Sequence, residues 1–182
     1  MKFLSEVAAF LSVISLCAAA SGTKVSTDQG IQRQILKSAH TTTFLYADDL
    51  SGCTVLAAHW AEQGTGTGAY KTALFVHVCQ DTLGDATKLQ TFMQDKGKSE
   101  GTSIHDRLQT LVSSNGQPEK TFLVYKVDSK GNEVYPAGNQ IMKDYIKGWN
   151  IQVTGTATYK AIGANARAEQ DPYETPAVFT SG

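Results

Sequence analysis

CTVLAAHW at positions 53–60, GTGTG at 64–68 and AYKTALFVHVC at 69–79 form the passage on which the fold turns. Both flanking runs are apolar and rich in strand-favouring residues, and a glycine-rich interval between two such runs reads as a hairpin loop. A phosphate cradle is the second reading, and the weaker one, because no GxxxxGK[ST] is present and no helical pattern follows it directly. If the hairpin is symmetric about Gly66, Cys53 falls opposite Cys79, each thirteen positions from the centre. Directly opposed residues of an antiparallel pair lie about 4.5–5.5 Å apart at Cα, within the roughly 4.4–6.8 Å that a disulfide spans. Turn chemistry, strand pattern and cysteine spacing therefore converge on one register with a Cys53–Cys79 bridge. Closing a loop of that length contributes about 3 kcal/mol.

Working outward, Thr41 to Tyr46 has strand composition and ends in a turn at Asp48-Asp49 and Ser51-Gly52, while Ile31 to Ser38 has no decisive period. After the hairpin, Leu83, Ala86, Leu89, Phe92 and Met93 recur at helical spacing, which predicts a helix over 82–96 stopped by Gly97. Ser103 and Asp106 resemble a capping box ahead of a second helix with the stripe Ile104, Leu108, Leu111 and Val112. Thr121 to Val127 reads as a strand, 128–132 as a turn and 133–135 as a short return. Asn139 is expected to cap a third helix carrying Ile141, Met142, Tyr145, Ile146 and Trp149, and Ile151 to Tyr159 to form the last strand. The order predicts an α+β domain, an antiparallel sheet with about three helices packed on one face and one disulfide. That single domain covers 21–162, and 163–182, rich in Ala, Asn, Glu, Pro and Ser, is expected to be a disordered tail.

The first twenty residues have a different character. Met1-Lys2 is a short positive start, Val7 to Leu16 is almost continuously apolar, and Ala18-Ala19-Ala20 supplies the small residues of a cleavage site. This is the pattern of a signal peptide over 1–20, cut between Ala20 and Ser21; its apolar run is shorter than the roughly 20 residues of a membrane span. Cys17 leaves with the leader, so only Cys53 and Cys79 remain, and one disulfide fits a secreted, extracellular protein. With 16 basic and 17 acidic residues and no dense Lys/Arg cluster, nucleic acid is not an expected partner. No Asn-x-Ser/Thr sequon is present. A monomer with no membrane attachment after cleavage is expected.

His40, His59, His77 and His105, with Glu62 and Arg107, would suit a ribonuclease-like hydrolase, because general acid–base cleavage commonly pairs a histidine with a carboxylate or a second histidine. The hairpin register opposes the simplest version. His59 and His77 share a face, but with His77 opposite Val55 and His59 opposite Ala73 they stand four residues apart, or roughly 13 Å. There is no GxSxG, HExxH or CxxC. Trp60, Tyr70, Trp149 and Tyr159 would form a glycan platform only if they faced solvent together, and aromatics beside strands and helix stripes belong to cores. No catalytic residue, cofactor-binding residue or metal ligand is assigned.

The leader ending Ala18-Ala19-Ala20, the modest mature length, the single Cys53/Cys79 pair and the absence of catalytic motifs together resemble the small secreted effectors of plant-pathogenic, smut-type fungi, of the maize-induced secreted kind. The resemblance implies secretion into the host apoplast during biotrophic growth, a virulence role through host–pathogen interaction, and host proteins as partners. It carries no catalytic residue. The expectation is a non-enzymatic interaction protein; the alternatives are the ribonuclease-like hydrolase and a glycan-binding cell-wall protein.

Overall fold

The computed structural model describes residues 22–160, 166–174 and 177–180. The signal peptide expected over 1–20, with its Ala20/Ser21 cut, lies outside the described residues. The strands are β1 (Thr23–Lys24), β2 (Gln29–Leu36), β3 (Leu45–Ala47), β4 (Cys53–His59), β5 (Tyr70–Cys79), β6 (Lys120–Lys126), β7 (Gly155–Tyr159), β8 (Ala166–Gln170) and β9 (Ala177–Thr180). The helices are α1 (Gln80–Leu83), α2 (Ala86–Gln94), α3 (Ile104–Asn115) and α4 (Pro136–Lys147).

The β4–β5 hairpin is the centre of the molecule, in the register that its symmetry implies. Cys53 pairs with Cys79, Val55 with His77 and His59 with Ala73, and Cys53 and Cys79 are joined by a disulfide. Around it the first sheet runs β2-β5-β4-β6-β7. Every residue of β4 is buried. A strand covered on both faces reads as an unbroken apolar run rather than an alternating one, and CTVLAAH is such a run.

One face carries the helices. Leu56, Ala58, Leu74, Val76 and Val78 meet Leu83, Leu89, Met93, Ile104, Leu108, Met142 and Ile146 in one core. The other face carries a second sheet, β1-β3-β8-β9. There Val55, Ala57, Ala73 and Phe75 pack with Leu45, Ala47, Ala166 and Ala168. The α+β class holds and, among the described residues, takes the form of three layers: four helices, a five-stranded sheet and a four-stranded sheet.

Several expectations are corrected. The 82–96 helix is two helices, because Asp85 caps α2 by accepting from the Thr87 and Lys88 amides. Ser103 does cap α3, its hydroxyl accepting from the Asp106 amide at 3.0 Å. Asn139 is no cap: α4 begins at Pro136, where proline at the first turn loses nothing because its missing N–H would have had no helical partner. Asn139 is instead buried inside α4, accepting from Thr54 Oγ1 at 2.6 Å and donating to Glu133 at 2.9 Å. The last strand is confined to β7 and runs parallel to β6, because α4 is the crossover that a parallel pair requires. Ile151, ahead of it, drops into the helix-side core.

The tail is the largest correction. The region expected to be disordered contains β8, which pairs antiparallel with β3 through Leu45–Gln170, Tyr46–Glu169 and Ala47–Ala168. Ala166, Ala168 and Gln170 are buried, and β9 pairs antiparallel with β8. The domain therefore extends past position 162.

Candidate functional site

The chemistry-bearing residues gather at the two ends of the central hairpin. At the end nearest the GTGTG loop, His59 on β4 is 1% exposed. Its Nε2 faces Glu119 at 3.9 Å, and its Nδ1 is buried without a hydrogen-bond partner. Burial, then the positive charge of Lys71, drives its pKa down to about 4, against a weaker pull from Glu119. His59 is accordingly neutral at pH 7, so its approach to Glu119 is not an ion pair there. Glu119 is instead paired with Lys71 at 2.7 Å, which holds its carboxyl below the usual range. Lys71 Nζ stands 5.3 Å from the Tyr173 ring, and Tyr173 lies 5.1 Å from the His40 ring.

His40, in the turn after β2, donates from Nδ1 to Asp171 Oδ2 at 2.7 Å. His40, Asp171 and Glu174 place one donor atom each within 4.8 Å of one another. The sequence pattern assigns Asp171 and Glu174 no role, because they lie in the stretch expected to be a tail. Glu62 is ion-paired with Lys37 at 3.1 Å. A run of contacts, two of them through the Tyr173 ring, thus leads from His59 to Glu119, Lys71, Tyr173, His40 and Asp171, and brings two of the four histidines into one region.

The other histidines are elsewhere. His105, on α3, hydrogen bonds through Nδ1 to Tyr145 Oη at 2.9 Å and meets the edge of Trp149 at 4.8 Å between ring centres. Burial raises the Tyr145 phenol to about 12. Arg107 reaches back to the Ser99 and Thr102 carbonyls at 2.7 and 3.2 Å, an arrangement that ties the loop before α3 to the helix. The four aromatics do not form a platform. Trp60 is fully buried in the helix-side core, donating to the Gly116 carbonyl, whereas Tyr159 is buried in the other core.

At the far end of the hairpin, Cys53, Cys79 and His77 share the face turned to the second sheet, with one donor atom of each within 4.8 Å of the others. His77 is buried. Its Nδ1–H donates to the Val25 carbonyl at 3.1 Å, and its Nε2 lies 3.9 Å from Cys79 Sγ. Burial pushes the His77 pKa down, with the Val25 hydrogen bond and Asp28 opposing. Both cysteine backbones are held by side chains. Tyr159 Oη accepts from the Cys53 amide at 3.0 Å and donates to the Cys53 carbonyl at 2.7 Å, and Asp28 Oδ1 accepts from the Cys79 amide at 3.1 Å. The His77–Cys79 pairing was available in the sequence, since residues two apart on a strand share a face.

No family model matches the chain, and no curated protein matches it.

Proposed function

We propose that the mature chain is a secreted, non-enzymatic interaction protein: a fungal effector that works as a monomer in the apoplast of a plant host and binds host proteins during biotrophic growth. The observation that carries the reading against a hydrolase is what the histidines are engaged in. His77 and His105 are tied to partners far from the loop end, and His59 is buried, with only 1% of its surface exposed. The disulfide between neighbouring strands supports passage through an oxidising compartment. Among the described residues no helix is long and apolar enough to cross a membrane.

The test combines expression, deletion and turnover. An effector is transcribed inside the host and not in axenic culture, its deletion reduces colonisation, and the purified protein leaves RNA intact. Constant expression with retention on chitin or β-glucan would assign it to the cell wall instead. RNA cleavage abolished by His40→Ala would replace the proposal with a hydrolase, because His40 is the histidine with a carboxylate at hydrogen-bond distance.

A further inference from the structure

The environment of His77 is unexplained by a purely structural disulfide. A backbone carbonyl can only accept, so the contact with Val25 places the proton of neutral His77 on Nδ1 and leaves a lone pair on Nε2. That lone pair faces Cys79 Sγ, which has no hydrogen while it is bonded to Cys53. A buried acceptor is therefore aimed at an atom that cannot donate to it. Reduction supplies the missing donor, because the Cys79 thiol carries the S–H that Nε2 lacks.

We propose that Cys79 and His77 are a nucleophile–base pair that the Cys53–Cys79 disulfide keeps switched off, and that low-molecular-weight thiols of the glutathione class switch it on for thiol–disulfide exchange. Nucleophile, base and a third group that orients the base are the recurring parts of an activated cysteine; here the third group is the Val25 carbonyl. In the first exchange a thiolate attacks Cys79 Sγ, the more exposed of the two cysteines. The bond to Cys53 breaks, a mixed disulfide forms on Cys79, and Cys53 leaves as a thiolate that takes up a proton. A second thiolate attacks the mixed disulfide, the small-molecule disulfide departs, and Cys79 emerges as a thiolate. The second proton resides on His77 Nε2. The sum is one protein disulfide, two small thiols and a neutral His77 giving one small disulfide, the Cys53 thiol and the Cys79 thiolate beside the His77 imidazolium. The released Cys79 thiolate can then attack one sulfur of a partner's disulfide; the partner's S–S bond breaks, its other sulfur leaves as a thiolate that takes the proton from His77 Nε2, and Cys79 is left joined to the partner by a mixed disulfide.

The site is built to survive reduction. Tyr159 and Asp28 hold the backbones of the two cysteines whether or not the sulfurs are joined, and the ladder between β4 and β5 continues beyond them for six further residue pairs, Thr54–Val78 to His59–Ala73. The charged groups that face the pair are Asp28 and Lys24, with opposite effects on the imidazolium. Burial is the largest influence and disfavours a lone imidazolium, whereas the Val25 and Ser26 carbonyls and Asp28 favour it; a thiolate on Cys79 beside the ring offsets the cost of burial, and the imidazolium in turn offsets the repulsion between Asp28 and the thiolate.

The experiment follows the alkylation of Cys79 by iodoacetamide against pH, with peptide mapping, in the folded Cys53→Ser protein, where Cys79 is permanently free. The expected profile inflects below the ordinary thiol value of about 8.5, and adding His77→Gln moves the inflection upward and slows labelling at pH 6.5 by about tenfold. An inflection at or above the ordinary value that is indifferent to His77, or a Cys79 that labels only in urea, overturns the proposal. Wild-type protein supplies the second arm. Reduced glutathione is expected to open the disulfide with the near-ultraviolet circular dichroism retained, and iodoacetamide then to label Cys79 ahead of Cys53. Reduction that occurs only with loss of that signal, or equal labelling of both cysteines, refutes it without recourse to a variant.

Discussion

The two faces of the five-stranded sheet are covered in different ways. The helical face is closed by α1 to α4, with long apolar side chains at helical spacing and a cap that can be named from the sequence. The opposite face is closed by strands of two to five residues drawn from both ends of the chain, with Ala47, Ala166 and Ala168 as much of their contribution. The chemistry follows the second face: His59, His77 and both cysteines point there from the hairpin. The second face is not short of bulk, since Leu45, Leu50, Phe75 and Tyr159 lie in it, but the short strands also bring alanines there, and it is the face that carries His77 and the cysteines. The layer with the weaker sequence signal is thus the one that holds most of the titratable and sulfur side chains of the hairpin.

Removal of the weaker layer is expected to have the largest effect. Truncation after position 162 deletes β8 and β9, and with β8 the strand that pairs β3 on its side away from β1. Val55, Ala57 and Phe75 would lose the part of their cover that Ala166 and Ala168 provide. We expect loss of cooperative unfolding, a larger effect than any single substitution in either layer, because burial of apolar area at about 25 cal/mol per Å² is the main favourable term. A truncated protein that melts within a few degrees of the full chain would mean that the second sheet is an accessory and the helical face is the whole core.

The sequence pattern of 163–182 reads as a disordered tail, yet β8 lies within it, and that is where the legibility of the fold ends. The hairpin register was readable because two long runs are symmetric about one glycine, and the Ser103 cap because its signal is local. The second sheet was not readable: β3 keeps three residues and β8 only five, and they pair across more than a hundred positions. Alternation over so few residues is no signal. Asn139 failed for the same reason, since what decides its role is Thr54, 85 positions away. Of the candidate site, the positions of His59 and His77 followed from the register. His40 could not be placed, because its partner Asp171 belongs to the unread layer.

On the helical face the matching change is Leu89→Ala. Leu89 is fully buried in the helix-side core, and removal of its side chain is expected to cost about 2–5 kcal/mol, lost transfer energy plus the residual cavity. Urea unfolding reads it directly. A cost below about 1 kcal/mol would mean that this face collapses around the gap and that long apolar side chains are not what closes it.

The acid limb of stability sharpens the second face. His59 has a folded pKa of about 4 against an ordinary 6.5, so the unfolded chain binds its proton first. Its contribution is complete above pH 6.5, is lost as pH falls towards 4 and levels off below. At about 1.36 kcal/mol per unit the loss is about 3 kcal/mol. His77 acts in the same direction. The comparison to make is the difference in unfolding free energy between pH 7.5 and pH 4 in wild type and in His59→Gln. The variant is expected to show a visibly smaller difference, with His77→Gln removing a further part. Equal differences in all three proteins would mean that carboxylates alone govern the acid limb.

The smallest effect is expected at the most legible residue. Ser103 accepts from the Asp106 amide at the start of α3 and is itself 2% exposed, so Ser103→Ala leaves one helix N–H without its partner. Caps of this kind contribute about 1 kcal/mol. Near it, Glu100 pairs with Arg33 at 2.7 Å, but these side chains are 44% and 37% exposed, and a surface pair is worth about 0–1 kcal/mol. Glu100→Gln is therefore expected to cost less than Ser103→Ala. The reverse order would show that the start of α3 is set by the ion pair tying the preceding loop to β2 and not by its own cap. The helical face would then depend, as the opposite face does, on contacts between distant segments that no local pattern announces.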